Sequence, residues 1–366
     1  MGPKKVRSTI AERCALLDQH YINVYGRERW LKLREALVAP VRHVAWLSPF
    51  SANILKKMEE SQLVRHEETG CQILVSTRVV EGDEEKIFPA PGGDRPLSYY
   101  PLDGASILPA LALLPCRGDR VLDACAAPGG KTLLLADQLY RVGGGTLTAN
   151  EKASSRRQRL RRLVDDYLPL GKNNISLNLQ GLDAIDKRKW QSTFDKILID
   201  APCSSERHFI RGANGAEWSV SRLKRDAKLQ LAILRCMLNN LKIGGTIVYS
   251  TCSLDPQQND DIISAVLDDA KFKHPHTLKV DHPLKNLHFN HPIIISGIEL
   301  TRHGAIALPD RASGFGPLYW AVLTSLGYRS TNDDNHQGDN SSCSSSLDNG
   351  RTEEKTIHIA KEQEKT

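Results

Sequence analysis

Two cysteines in this chain follow short apolar runs that have the character of buried strands. Cys203 comes after ILIDAP, Cys252 comes after VYST, and Asp200 stands three residues before the first cysteine. A thiolate is nucleophilic and also leaves again, so it suits a reaction that passes through a covalent intermediate. A neighbouring acid can protonate or hydrogen-bond a ring atom as charge develops. If the two strands are neighbours, their ends lie about 4.8 Å apart and both thiols converge on one crevice.

Addition of a thiolate to a pyrimidine ring is one reaction that needs these groups. C5 of cytosine is too weakly nucleophilic to take a methyl group directly, but thiolate addition at C6 turns the ring into an enamine whose C5 can attack an electrophilic methyl. A second thiol could then assist release. A lone cysteine is more often a small buried hydrophobe, and we expect that of Cys116 and Cys236.

A glycine-containing loop and two acids suggest a nucleoside-like ligand. CAAPGGKT (125–132) lies between an apolar run and a helical pattern, where backbone N–H groups can approach a polar ligand. A phosphate-binding P-loop would need glycine at Cys125, so that motif is absent; a tight turn without ligand remains the alternative. Glu151 is either an acceptor for ribose hydroxyls or a helix-start carboxylate. Asp183 is either a loop acid or an acceptor for an adenine amino group.

The elements that position these residues alternate between strand and helix from Asp119 onward. The predicted strands are 120–124, 145–150, 194–200 and 244–250, and the predicted helices are 131–140, 153–168, 219–241 and 260–270. This alternation predicts an α/β fold with a doubly wound parallel sheet. Such a sheet binds its ligand outside the carboxyl ends of its strands. All the candidate residues above should therefore line one crevice.

The remainder of the chain predicts two further regions. Residues 1–100 should form a smaller helical and mixed N-terminal region, with helices over 10–25 and 30–37 and a β-rich run at CQILVST. Residues 101–329 should form the catalytic domain. Residues 330–366, rich in Ser, Asn and Asp, should be a disordered polar tail.

Composition excludes several classes of protein. The 366 residues are 40% hydrophobic and 25% charged, with no apolar stretch of membrane-spanning length and no secretory signal. Eight cysteines without a CxxC pair favour a reducing compartment over a disulfide scaffold. The net charge is +6, and the acidic tail leaves residues 1–329 at about +10, which favours an anionic partner.

Three polar clusters have open interpretations. The basic residues of 152–162 could contact phosphates or form a solvated helix face. In Lys187–Trp190 the tryptophan could stack a base or be half buried. The histidines at 274–291 lack regular ligand spacing, so we expect a variable loop and no metal. They are His274, His276, His282, His288 and His291.

Five segments together resemble the successive motifs of the Sun/Fmu-type RNA cytosine-5 methyltransferases. They are DGASILPALALLPCRGDRVLDACAAPGGKT, ANEKASSR, GLDA, DAPCSSERH and YSTCSLDPQQND. The match covers roughly residues 99–270 in the correct order, and the joint occurrence of CAAPGGKT, DAPCS and STCS is highly specific. The resemblance implies a Rossmann-like sheet, S-adenosylmethionine as cofactor and RNA as substrate.

The resemblance also implies a role for individual residues. Cys252 matches the nucleophile, Cys203 the product-release cysteine and Asp200 the acid at N3, with Lys131 beside them. DNA cytosine-5 methyltransferases instead use the cysteine of a Pro-Cys pair, here Cys203, but their ENV motif is absent. The implied cofactor contacts are Cys125, Gly129, Gly130, Lys131, Thr132, Glu151, Arg156, Asp183, Ala184 and Asp200.

Finer features resemble one branch of this family. Arg207-His208, YGRERWLKLREAL and GFGPLYWAVL are similar to the branch that acts on mitochondrial small-subunit ribosomal RNA. This implies ribosomal RNA methylation in mitochondria, although the presequence is weak, and a protein partner for RNA targeting is possible because no extra RNA-binding domain is evident. The alternatives are a tRNA cytosine-5 methyltransferase and an RNA-binding assembly factor of low activity.

Overall fold

The computed structural model describes residues 10–51, 61–76, 95–169, 174–212, 217–268 and 276–328. The predicted tail at 330–366 and His274 lie outside the described residues. Within the described ranges, no helix is both long enough and apolar enough to cross a bilayer.

The N-terminal region consists of a helical pair followed by an antiparallel sheet. Its elements are α1 (Ile10–Tyr25), α2 (Arg27–Val38), β1 (His43–Leu47), β2 (Ser61–Arg65), β3 (Gln72–Ser76) and β4 (Tyr99–Asp103). The strand order is β2-β3-β1-β4, with every neighbouring pair antiparallel. Both predicted helices are confirmed, and the predicted β-rich run contains β3.

The rest of the chain forms a larger mixed sheet with its helices. Its first elements are α3 (Ile107–Ala112), β5 (Arg120–Asp123), α4 (Gly130–Arg141), β6 (Gly145–Asn150), α5 (Ser154–Tyr167), β7 (Ile175–Gln180), β8 (Phe194–Asp200), α6 (Glu206–Ile210), α7 (Val220–Leu238) and β9 (Leu241–Thr251). Strands β5 to β9 are parallel in the order β9-β8-β5-β6-β7. The strand order reverses between β5 and β8, where doubly wound sheets bind ligands.

An antiparallel extension, which the alternation did not predict, completes the sheet. Its elements are α8 (Asp260–Leu267), β10 (His276–Asp281), β11 (Glu299–Leu300), β12 (Ala305–Ala307) and β13 (Leu318–Tyr328). Strand β13 pairs with β9 on one side and with β10 and β12 on the other. The expectation of a variable loop is therefore wrong for 276–281, which form a strand.

The boundary between α7 and β9 also differs from the prediction. The helix ends at Leu238 and not at Leu241, because the side-chain amide of Asn240 donates to the carbonyl of Cys236 at 2.8 Å. The strand then begins at Leu241, opposite Phe194 of β8.

The core lies on both faces of the large sheet. On one face the N-terminal helices contribute Tyr21 and Trp30, whose rings stack at 5.0 Å, and both pack in one cluster with Trp218. On the other face β1 and β3 pack in one cluster with α3 and α4. The proposed boundary at residue 100 falls inside β4, so the division into two domains stays a prediction.

Candidate active site

A cavity of about 580 Å³ opens at the carboxyl ends of β5, β8 and β9. It lies where the strand order reverses, which is the place that the sequence pattern predicted. Of the predicted site residues the cavity wall contains Cys125, Gly129, Gly130, Lys131, Arg156, Asp200, Cys203 and Cys252. The wall as described does not include Thr132, Glu151, Asp183 or Ala184.

The two predicted cysteines meet in this cavity. Strands β8 and β9 pair in parallel, with Asp200 opposite Ser250, so the loops that follow them are neighbours. The sulfur atoms of Cys203 and Cys252 lie 2.9 Å apart, and neither cysteine is in a disulfide. The two thiols therefore face each other in direct contact.

The two thiols of this pair differ in pKa. The hydrogen bond from Cys203 lowers the pKa of Cys252 in spite of burial and of the nearby acids Asp200 and Glu206. The same hydrogen bond, together with burial, raises the pKa of Cys203 well above its ordinary value. Of the two thiols, Cys252 is therefore the one that ionises more readily.

Asp200 is held by two polar partners. The ammonium of Lys131 donates to its Oδ2 at 2.8 Å, and the hydroxyl of Ser250 donates to its Oδ1 at 3.1 Å. Burial by itself would lower the pKa of Lys131, but the Asp200 carboxylate raises it overall. Lys131 therefore stays protonated, and the carboxylate is fixed at the cavity wall.

The loop between β5 and α4 forms one side of the cavity. Gly129 takes a φ of 122° as the residue before α4, and no side chain caps this helix. A Cβ at Gly129 would lie only 2.5 Å from a methyl carbon of Leu163, so glycine is also required for packing against α5. The first amides of a helix have no intrahelical partner, and here they are available to a ligand.

Asp123 is a site residue that the sequence analysis missed. Its Oδ2 accepts a hydrogen bond from Thr132 Oγ1 at 2.7 Å, whereas its buried Oδ1 has no partner. Burial raises the pKa of Asp123 to about 7. An unpaired buried carboxylate oxygen in the cavity wall fits a polar, positively charged ligand such as S-adenosylmethionine. The available signal was its place at the end of RVLD, directly before the glycine loop.

The predicted ribose and adenine acceptors lie beside the glycine loop. Glu151 accepts from the backbone N–H of Ala153 at 2.8 Å and pairs with Arg156 at 3.2 Å. Asp183 accepts from Lys152 at 2.5 Å, and this hydrogen bond lowers the pKa of Asp183. Arg156 also donates to the carbonyl of Ala127. Both acids are thus already engaged as hydrogen-bond acceptors within the protein.

A buried carboxylate joins the two loops that carry the cysteines. Glu206, at the start of α6, accepts from the hydroxyl of Ser204 and from the backbone N–H of Leu254 at 3.1 Å. The hydroxyls of Ser204 and Ser253 are themselves 3.0 Å apart. The loop after β8 and the loop after β9 are therefore fixed to each other by one side chain.

Another part of the cavity wall brings together three segments that are distant in sequence. Asp103 accepts from the backbone N–H of Gly316 at 3.0 and 3.1 Å, and Arg207 donates to the carbonyl of Gly316. Arg207 also donates to the carbonyl of Ala39 at 3.0 Å. Arg207 thus joins the end of α2 to the segment before β13, which gives a physical role to the Arg207-His208 sequence feature.

The remaining polar clusters differ in how far their side chains are buried. Trp190 is buried, packs against Phe194 and donates to the carbonyl of Asp183 at 3.1 Å, so it does not present its ring for stacking a base. On α5, Arg159, Arg161 and Arg162 are exposed and available for phosphate contact. In the described part of the chain, no group of three or more potential metal ligands comes together.

Comparison with known proteins places the chain in a family. The profile described as "16S rRNA methyltransferase RsmB/F" matches residues 110–292, which is half of the chain. The 5-cytosine rRNA methyltransferase NSUN4 of Mus musculus is 30% identical over 86% of this chain and 90% of its own length. The chain belongs to the RsmB/F family.

Other relatives of this RsmB/F chain match over shorter segments. NSUN4 of Bos taurus is 35% identical over 66% of this chain and 64% of its own length, so the chain spans just under two thirds of that relative. The mitochondrial tRNA (cytosine(34)-C(5))-methyltransferase of Mus musculus is 33% identical over 62% of the chain and 63% of its own length. A solved methyltransferase homologue from Pyrococcus horikoshii, 22% identical, has a TM-score of 0.64 over 88% of this chain and all of its own, which shows the fold.

Membership of the RsmB/F family confirms the predicted family, the Rossmann-like methyltransferase fold and the S-adenosylmethionine-dependent enzyme class.

Proposed function

We propose that this RsmB/F protein methylates C5 of a cytosine in ribosomal RNA through a covalent adduct with Cys252. The observation that carries the proposal is the pair of sulfur atoms 2.9 Å apart, in one cavity with the ion pair of Lys131 and Asp200. The NSUN4 relatives are 5-cytosine rRNA methyltransferases, which supports the same substrate class.

Each residue has a defined part in this chemistry. The Cys252 thiolate adds to C6, and N3 takes up a proton that the Lys131 ammonium can supply through Asp200. S-adenosylmethionine, when bound, supplies the electrophilic methyl group that C5 takes up. Water in the cavity then takes up the C5 proton, and the electron pair of the C5–H bond forms the C5–C6 double bond. The electron pair of the S–C6 bond returns to Cys252, and N3 gives its proton back to Lys131 through Asp200. Cys203 assists this release because its sulfur lies beside that of Cys252.

The proposal is tested with purified protein, the cofactor and RNA that carries 5-fluorocytidine, from which the C5 substituent cannot leave as a proton. We expect a covalent adduct with wild-type protein and none with Cys252→Ala. With ordinary RNA, Cys203→Ala should accumulate adduct and turn over more slowly than wild type. Persistence of the adduct in Cys252→Ala would overturn the assignment of the nucleophile.

Bisulfite sequencing of ordinary RNA that has been incubated with the protein and the cofactor then distinguishes the substrates. Methylation of small-subunit ribosomal RNA supports the proposal. Methylation confined to tRNA would favour the second candidate, which the similarity to the mouse mitochondrial tRNA enzyme supports. RNA binding without methylation of any RNA would favour an assembly factor of low activity, a role that does not require Lys131, Asp200 and both cysteines together.

The location and RNA recognition belong to the same proposal. A mitochondrial location is supported by the mitochondrial tRNA methyltransferases among the relatives. We further propose that residues 1–100 supply RNA recognition and that residues 101–329 form the catalytic domain. A protein partner for RNA targeting is compatible with this division, and co-purification from mitochondria would identify it.

A further inference from the structure

Ser205 has a backbone conformation that is unfavourable for its residue type. Its φ and ψ are 52° and 58°, in the left-handed region that glycine adopts without cost. In the part of the chain that the structure describes, the other non-glycine residues with positive φ are Leu114 and Ser313. Strain of this kind persists where the surrounding structure enforces it, and it is concentrated at functional sites.

This conformation places the Ser205 hydroxyl beside both sulfur atoms. Its Oγ lies 3.2 Å from Sγ of Cys252 and 3.5 Å from Sγ of Cys203, and the residue lines the cavity. A hydroxyl can donate to sulfur, and the hydrogen bond is much stronger when the sulfur is a thiolate.

The charged groups around Cys252 do not by themselves favour a thiolate. Asp200, at the end of β8, and Glu206, at the start of α6, disfavour a second negative charge. Lys131 of α4 faces the same space, but its ammonium is paired with Asp200 at 2.8 Å. The hydrogen bond from Ser205 lowers the pKa of Cys252, second only to that from Cys203 among the favourable interactions.

We propose that Ser205 is a catalytic residue, whose hydroxyl donates a hydrogen bond to the sulfur of Cys252 and keeps it as a thiolate before RNA binds. The left-handed backbone aims Oγ at the sulfur, and the serine is retained there at the cost of strain. The assignment of Cys252 as the attacking sulfur rests on the proposed function. The hydrogen bond itself does not depend on RNA.

The test is the pH dependence of Cys252 alkylation by iodoacetamide, followed by mass spectrometry of the Cys252 peptide in the full chain. Ser205→Ala and Ser205→Gly both remove the hydroxyl, and glycine also relieves the strain. Each should raise the midpoint of the alkylation profile by about one pH unit, which is a tenfold slower reaction well below the midpoint. The rate at high pH should not fall, because a less stabilised thiolate is at least as nucleophilic.

Ser313→Gly is the matched control, because Ser313 has the same φ of 52° and does not line the cavity. It should leave the alkylation midpoint unchanged. Ser205→Gly should be at least as resistant to thermal unfolding as wild type, so that unfolding cannot explain its slower reaction.

An unchanged midpoint in both Ser205 variants would overturn the proposal, as would an equal shift in Ser313→Gly. The proposed function fails separately, if wild-type protein forms no adduct with 5-fluorocytidine RNA. A midpoint shift in the Ser205 variants without that adduct would support the role of Ser205 and reject the RNA chemistry.

Discussion

At the scale of single residues, Asp123 couples the cavity to the stability of the protein. Its carboxyl is buried with one oxygen unpaired, and burial raises its pKa to about 7. In the unfolded chain the same group ionises near pH 4. Between these values the native state binds the proton more tightly than the unfolded state does, so stability falls as pH rises through this window and is constant above it.

We therefore predict that Asp123→Asn makes the stability of the unliganded protein less dependent on pH. Wild type should lose up to about 4 kcal/mol between pH 4 and pH 7 through this one group, and the variant should not. The measurement is the free energy of unfolding in urea at pH 5 and at pH 8 for both proteins. Equal pH dependence in wild type and variant would show that Asp123 does not carry the effect.

The sequence predicts the reactive side chains better than it predicts their surroundings. The meeting of Cys203, Cys252 and Asp200 in one crevice follows from residue type and from their places after two strands, whereas their separate roles rest on the family resemblance. Ser205 was not foreseen, because nothing in DAPCSS indicates that a serine takes a conformation typical of glycine. The sequence does not distinguish Asp123 from other acids at strand ends, which are common. Only the folded chain shows that one of its oxygen atoms has no partner.

At the scale of elements, the site depends on two loops that share one buried carboxylate. Glu206→Gln replaces an oxygen acceptor with an amide group that cannot accept from the Leu254 N–H or the Ser204 hydroxyl in the same way. We predict a loss of about 1–3 kcal/mol in the free energy of unfolding and at least tenfold slower adduct formation. Cofactor affinity should be unchanged, since the glycine loop is not involved.

Calorimetric titration of the cofactor and single-turnover kinetics on 5-fluorocytidine RNA separate the two effects of Glu206→Gln. Glu28→Gln is the control, since Glu28 is exposed and its pairing with Lys32 contributes little. If the variant loses both cofactor binding and adduct formation, the protein is generally disrupted, and misplacement of the loops is not the explanation.

The parallel strands with strong apolar runs are predictable, and the others are not. FDKILID and GGTIVYS are buried on both faces and give clear signals. Strand β7 at the sheet edge alternates polar and apolar residues as ISLNLQ, and it was not predicted. Strand β13 is apolar, but its antiparallel pairing with β9 depends on a contact between distant parts of the chain that local periodicity does not record.

At the scale of the whole molecule, the N-terminal helix α1 contacts the loop that follows Cys252. Nε2 of His20 lies 2.6 Å from Asp255, and the hydroxyl of Tyr25 donates to the carbonyl of Leu254 at 2.7 Å. Both partners follow Cys252 within three residues. The position of the catalytic loop therefore depends on how α1 packs.

We predict that Trp30→Ala costs about 3–5 kcal/mol of the free energy of unfolding, because the ring is fully buried against Tyr21. The rate of Cys252 alkylation should also differ from that of wild type below the unfolding temperature, because α1 loses the packing of Trp30 against Tyr21. Leu31→Ala, at an adjacent position with 56% exposure, should change stability by no more than about 0.5 kcal/mol. Equal effects of the two changes in a urea titration would contradict this account.

The wall formed by Asp103, Arg207 and Gly316 has a consequence for biosynthesis. Gly316 lies two residues before β13, whose pairing with β9 fixes it beside the other two residues. A growing chain that is still on the ribosome lacks this wall until β13 has been translated and has emerged. The cavity around the Cys252 sulfur is thus completed among the last steps of folding, when most of the polypeptide has already been made.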